Sequence, residues 1–434
     1  MNPLARALND SIAQHNPAVL RMLSELGKEL FFPKGILSQS AEAKAKASRF
    51  NATIGIATEN GAPMYLGCMH EKLTAYDPAD IYPYAPPAGK PELRALWREK
   101  MLRENPSLQG KVFSEPIVTS ALTHGLAIVA DLFAEPGDTV LLPDKLWGNY
   151  NLTFATRRGC SIKTYSTFNA EGGFNVAAFK EALQEVAAEQ GKAVVLLNFP
   201  NNPSGYTPTE VEGDALVQVM VEQAAAGCAI VAVADDAYFG LFYEDSIKES
   251  LFGRLANRHP NLLAIKLDGA TKEEFAWGFR TGFITFADGS ADGGPAILES
   301  LSKKTLGIIR GTISNCPHPS QTFVIEALRS PHFLQQKHEK FEILKARAVR
   351  TKEMLDSGKF DAAWDYYPFN SGYFMCLRLK SVDAEQLRLH LLDNYGVGTI
   401  AINSTDLRIA FSCIAENDIA ELFDLIYQAV CDLT

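Results

Sequence analysis

The chain has 434 residues, 47% hydrophobic and 21% charged, with 41 basic against 51 acidic side chains and a formal net charge of −10. That composition belongs to an ordinary folded protein and excludes a disordered, collagen-like or small disulfide-stapled chain. The acidic balance argues against a nucleic-acid partner held through phosphates, and no apolar run reaches the ~20 residues that cross a bilayer, so no membrane partner is expected.

Residues 1–48 read as mostly helical, interrupted at Pro33 and Gly35, with the segment 41–50 as a short exposed helix. The N-terminus lacks the apolar centre of a signal peptide. The seven widely spaced cysteines contain no CxxC pair, which fits reduced thiols and a cytoplasmic protein. Eight histidines without tight ligand spacing predict no metal site.

From about 115 to 290, β-rich runs alternate with helical ones. The predicted strands are 117–120, 139–143, 161–166, 193–199, 229–235, 262–268 and 282–287. AVVLLNF and AIVAVAD are nearly continuous apolar runs, the pattern of parallel strands covered on both faces. After about 322 a long helical stretch, broken near Pro331, leads into short strands and helices. The expected fold is α/β. A large domain over 50–325 carries a mostly parallel seven-stranded sheet flanked by helices, and 1–49 with 326–434 form a smaller α+β domain.

Ligands of an open α/β sheet bind beyond the carboxyl ends of its strands. The residues that follow those ends are PNNPSG, DDAY, DGATK and the helix start ALTHG, with Arg280 eight residues beyond Lys272. A helix N-terminus with an arginine can hold a phosphate. A buried lysine can be a nucleophile, and a carboxylate can hold a proton on a ring nitrogen. Together they specify pyridoxal phosphate.

Over about 51–411 the chain resembles the fold type I pyridoxal-phosphate enzymes, the class I/II aminotransferases similar to aspartate aminotransferase. The resemblance implies pyridoxal 5'-phosphate as cofactor, an amino acid and a 2-oxo acid as substrates, and a homodimer with shared active sites. In DGATKEEFAWGFRTG, Lys272 resembles the Schiff-base lysine and Arg280 the phosphate-binding arginine. In VADDAYFG, Asp235 matches the pyridinium partner and Tyr238 the donor to the cofactor phenolic oxygen, which Asn202 of NNPSG also meets. Trp147 of DKLWGNY would stack on the ring and also border the substrate, as would Asn202. Tyr84 of YAPPAGKPELR would reach the phosphate of the neighbouring subunit's cofactor. Ala121, Leu122 and Thr123 would form the phosphate cup.

Arg408 of DLRIAF resembles the clamp on the substrate α-carboxylate. Arg310, in the R-x-x-x-S-N-x-P pattern of IIRGTISNCP, resembles the residue that grips a second carboxylate across the dimer. Gly55 and Ala57 would border the substrate. The implied substrates are aspartate, glutamate or an aromatic amino acid. A carbon–sulfur β-lyase is the alternative on the same residues.

Three positions depart from the family pattern: Gly269 stands where a serine is common, Phe275 where glycine is, and ALTHG lacks a Ser-Gly pair. Taken singly, Lys272 reads as a surface lysine, NNPSG and DDAY as turns, Trp147 as core, Tyr84 as a surface aromatic and Arg310 as an interface ion pair. His124 reads as a helix-start polar residue. Asp236, Glu273 and Glu274 read as solvated or supporting charges.

Overall fold

The computed structural model describes all residues except 16–19, 21, 22, 24, 30–35, 54, 72, 74 and 291–293, so Pro33 and Gly35 lie outside the described residues. The main sheet contains β1 (Ile117–Ser120), β2 (Thr139–Pro143), β3 (Ser161–Tyr165), β4 (Lys192–Asn198), β5 (Ala229–Asp235), β6 (Leu262–Gly269) and β7 (Thr281–Ala287). Their order is β1-β7-β6-β5-β4-β2-β3. β2 to β6 run parallel, while β7 is antiparallel to both β1 and β6.

Helices including Ala121–Phe133, Val176–Gln190 and Glu210–Ala225 flank the sheet. Their ends are set locally. Asn175 accepts from the Ala178 N–H, and Thr209 with Glu212 forms a capping box. Every residue of β2 and β7 is buried, as the apolar runs require. β3, at the sheet edge, is partly exposed and more polar.

Register gathers the strand ends at one rim. Asn198 pairs with Asp235, and Asp235 with Leu267, so the loops after β4, β5 and β6 leave the sheet side by side. The antiparallel β7 then begins at that rim, with Thr281 opposite Ser120 and Gly282 opposite Gly269. Arg280 and the helix start at Ala121 meet there for this reason.

The smaller sheet comprises β8 (Trp364–Tyr366), β9 (Phe374–Leu379), β10 (Ile400–Ala401) and β11 (Asp406–Ala410), ordered β8-β9-β11-β10 and antiparallel. The helical stretch before it ends at Arg329 and resumes at Phe333, flanking Pro331, and runs on to Asp356. The first of these helices, His318–Arg329, runs across residue 325. The N-terminal helix Ile36–Lys46 docks on the small sheet. Gln39 exchanges two hydrogen bonds with the Ala401 backbone, and Phe50–Asn51 pairs in parallel with Val397–Gly398. The predicted exposed helix at 41–50 is the end of this helix, which stops at Lys46. Among the described residues no helix is long and apolar enough to cross a membrane.

Candidate active site

A cavity of ≈ 240 Å³ opens at the rim between the two sheets. Lys272, Asp235, Asn202, Tyr238, Arg280, Arg408, Trp147 and residues 121–123 all line it. Lys272 sits on the one-turn helix Ala270–Glu273 that follows β6. Its Nζ lies 4.8 Å from the centre of the Tyr238 ring. Burial lowers its ammonium from the usual 10.5 to about 8, with Asp235 opposing that effect and Arg280 adding to it.

Asp235 ends β5 and is 2% exposed. Tyr150 donates to its Oδ2 at 2.7 Å, and Oδ1 has no hydrogen-bond partner among the described residues. Burial pushes the carboxyl up, against the Tyr150 hydrogen bond and the Lys272 cation. Tyr150 is a site residue the sequence reading missed. It lies three residues beyond Trp147 in DKLWGNY and packs edge-on against it, ring centres 5.6 Å apart.

Arg408 projects from β11, 1% exposed. Its Nη1 donates to Asn202 Oδ1 at 3.0 Å and its Nη2 to the Thr53 carbonyl at 2.9 Å. Nε has no partner, and the guanidinium lies 4.2 Å from the centre of the Phe374 ring. No carboxylate pairs with it among the described residues. A buried cation in that state is an acceptor site for an anion. Asn202 is held in turn by its own N–H, which donates to Asn198 Oδ1 at 2.9 Å.

At the other end of the cavity, the helix Ala121–Phe133 starts with Ala121 at φ 61°, and Arg280 adopts φ 52°. Left-handed conformations at non-glycine residues are strained and concentrate at functional sites. Free helix N–H groups with a guanidinium beside them suit a phosphate. The Thr271 hydroxyl also lines the cavity, buried and without a hydrogen-bond partner among the described residues. It offers the donor that a serine at 269 would otherwise supply. Gly269 cannot carry a side chain, because a Cβ there would lie 2.6 Å from the Thr281 carbonyl. Phe275, where the family often has glycine, takes φ 55°, a conformation that glycine adopts without cost. His124 accepts from the Ser120 N–H at 3.1 Å, a local role at the helix start.

Four expected residues stand apart from this cavity or differ in environment. Tyr84 is 90% exposed. Arg310 is exposed at the end of the helix Gly294–Thr312, donating to Ser314 at 2.5 Å. Ala57 is fully buried and does not line the cavity, whereas Gly55 does. Thr123 is an exposed residue on the cavity lip. Of the two readings of Asp236, Glu273 and Glu274, solvated or supporting, the solvated one does not hold. All three are buried and paired with lysines.

An unpaired buried carboxylate oxygen, a lysine amine of lowered basicity, an unpaired hydroxyl and a helix start beside an arginine complement a pyridinium, an aldehyde and a phosphate. The residues present therefore fit pyridoxal phosphate.

Comparison with known proteins agrees. The family model described as aminotransferase class I and II matches residues 68–426. A probable aspartate/prephenate aminotransferase of Aquifex aeolicus (strain VF5) is 26% identical over 67% of this chain and 69% of its own length. An aspartate aminotransferase of Rhizobium meliloti is 27% identical over 58% of this chain and 56% of its own. Among solved structures, an aminotransferase from Anaerococcus prevotii DSM 20548 superimposes with a TM-score of 0.84 at 22% identity, covering 94% of this chain and 98% of that one. The Pyrococcus horikoshii kynurenine aminotransferase in complex with PMP gives 0.78 at 17% identity, covering 96% and 98%. These two establish the fold, and the names of the relatives do not favour a β-lyase. This chain belongs to the class I and II aminotransferases and is a pyridoxal-phosphate-dependent transaminase.

Proposed function

We propose that this enzyme moves the α-amino group of a dicarboxylic or aromatic amino acid to a 2-oxo acid. It would act in the cytoplasm as a homodimer with shared active sites, built from a large domain over 50–325 and a small domain over 1–49 with 326–434. The observation that carries the reading is Arg408, a buried guanidinium without a carboxylate partner among the described residues, in one cavity with Lys272 and Asp235. Bound there, pyridoxal phosphate supplies a reactive aldehyde and a ring that accepts electrons.

Each residue then has a defined task. Lys272 would hold the aldehyde carbon until a substrate amine displaces it, and the freed ε-amine would carry the substrate Cα proton to that cofactor carbon. An amine of basicity lowered by burial suits that exchange. Asp235 holds a proton on the ring nitrogen, with Tyr150 fixing its orientation. Asn202 and Tyr238 would meet the phenolic oxygen, and Trp147 would cover the ring. Arg280, Thr271 and the N–H groups at 121–123 would bind the phosphate. Arg408 takes the α-carboxylate as a two-pronged fork and so decides which Cα bond faces the lysine.

The exposure of Tyr84 and Arg310 supports a site completed by the partner subunit, since neither reaches its own cavity. Arg310 would read a second carboxylate. The names of the aspartate/prephenate and kynurenine relatives support a dicarboxylic and an aromatic substrate range. A spectrum of the holoenzyme titrated with a panel of amino acids tests the reading. Aspartate, glutamate or an aromatic amino acid should convert the bound cofactor to its amine form, and 2-oxoglutarate should restore it. Release of pyruvate and a thiol instead would refute it.

A further inference from the structure

The helix that carries Lys272 is a single turn, Ala270–Glu273. One turn cannot hold its own shape, because nucleation costs more than its few hydrogen bonds return. Something outside the helix fixes the direction in which the Lys272 side chain leaves the backbone.

The residues directly after Lys272 supply the contacts. Glu273 and Glu274 are each 1% exposed and point away from the cavity. Lys100, on the helix Pro91–Glu104, forms an ion pair with Glu273 and lies 3.5 Å from Glu274 and 2.6 Å from Glu104. Lys337, on the helix Phe333–Asp356, lies 3.0 Å from Glu274, 3.8 Å from Glu104 and 3.9 Å from Glu273. Three helices thus meet through two ammonium groups and three carboxylates. Tyr373 donates to the Lys272 carbonyl at 3.2 Å.

Buried ion pairs are poor stabilisers, and apolar residues of equal volume often serve a core as well or better. In some proteins such pairs instead fix a geometry. We infer that Lys100 and Lys337 are positioning residues for Lys272: through Glu273 and Glu274 they clamp its one-turn helix to the helices Pro91–Glu104 and Phe333–Asp356. The inference rests on the assignment of Lys272 as the residue that bears the cofactor. Arg408 grips the substrate from β11, outside the clamp, so loosening the clamp displaces the amine without loosening the substrate.

The test uses Lys100→Met and Lys337→Met in the holoenzyme, with kcat expressed per cofactor-bearing site from the visible absorbance. Misplacing a reacting group by about 1 Å costs up to ~100-fold. The clamp therefore predicts a ~10–100-fold fall in kcat with KM within about twofold, and Lys337→Arg restoring most of it. In the cofactor-free chain, amide hydrogen exchange should quicken over 268–276. A merely structural pair would lower Tm and the loaded fraction but leave kcat per loaded site unchanged, and that result overturns the proposal. If Lys100→Met does not fold, Lys337→Met at the partly exposed edge of the network decides alone. Lys272→Ala separates the two assignments. If borohydride still fixes the cofactor to that variant, both fall. If the link is lost while the clamp variants keep full kcat, only the clamp falls.

Discussion

The amine of Lys272 stands at an energetic cost to the fold, and the cost is measurable without substrate. Burial lowers its pKa from 10.5 to about 8 in the cofactor-free chain. That difference corresponds to about 3 kcal/mol. It is an upper bound, because the side chain is only half-buried and solvent screens part of the effect. The sign follows from proton counting. Between pH 8 and 10.5 the unfolded chain keeps the Lys272 proton while the folded chain has lost it, so stability rises with pH across that window. Below pH 8 the full penalty applies.

Lys272→Met keeps an unbranched side chain of similar length and removes the charge. The cofactor-free variant should be more stable than cofactor-free wild type by up to about 3 kcal/mol at pH 7. The margin should shrink as pH rises from 8 to 10.5. Asp235 loses its nearby cation in the same substitution, which reduces the gain below that bound. Urea unfolding at pH 7 and pH 10, at one protein concentration, measures both values. A variant no more stable than wild type at pH 7, or a margin that ignores pH, would refute the reasoning.

Tyr150→Phe removes a hydrogen bond to a buried carboxylate, worth ~1.5–3 kcal/mol. kcat/KM should fall ~10–100-fold at neutral pH, and a loss under twofold would remove Tyr150 from the site. Arg408→Lys keeps the charge but not the fork, so KM should rise ~10–100-fold for every amino-acid substrate; steady-state kinetics showing an unchanged KM would exclude it as the carboxylate clamp. Thr271→Val should weaken cofactor binding about tenfold in a titration of the cofactor-free chain, with unaltered affinity refuting a phosphate role. Arg310→Ala should cut kcat/KM for aspartate more than for phenylalanine, and equal losses would mean that it does not read the side chain.

The sheet was legible because strands buried on both faces leave unbroken apolar runs, as AVVLLNF and AIVAVAD do. Strand ends were then legible to about a residue, and with them Asn202, Asp235 and Lys272. Arg280 was legible from its spacing to Lys272, but not the reason it reaches the cavity. That reason is the antiparallel direction of β7, a tertiary property without a local signal. Tyr150 and Thr271 were missed for a related cause. Each is an ordinary polar residue beside a stronger signal, Trp147 and Lys272, and only an unpaired or shared hydrogen bond in three dimensions distinguishes it. Tyr84 and Arg310 were legible only through their motifs, and neither lines the cavity of its own chain.

The burial of Asp236, Glu273 and Glu274 has one physical origin. Rules that place Asp, Glu and Lys in solvent rest on the cost of burying an isolated charge, and that cost falls when the charges are paired. Asp235 and Lys272 line the cavity, whereas the residues after them, Asp236 and Glu273, do not line it and are buried beside it. There Asp236 pairs with Lys266 and accepts from Ser250 at 2.6 Å. Lys266 lies 3.3 Å from Asp268, which accepts from the Trp97 indole at 3.1 Å. Glu273 pairs with Lys100 in the same layer. An apolar side chain at 236 or 273 would pack there too, but it would slide. A carboxylate bonded to a lysine on another element has one position, and it hands that position to the residue before it in the chain.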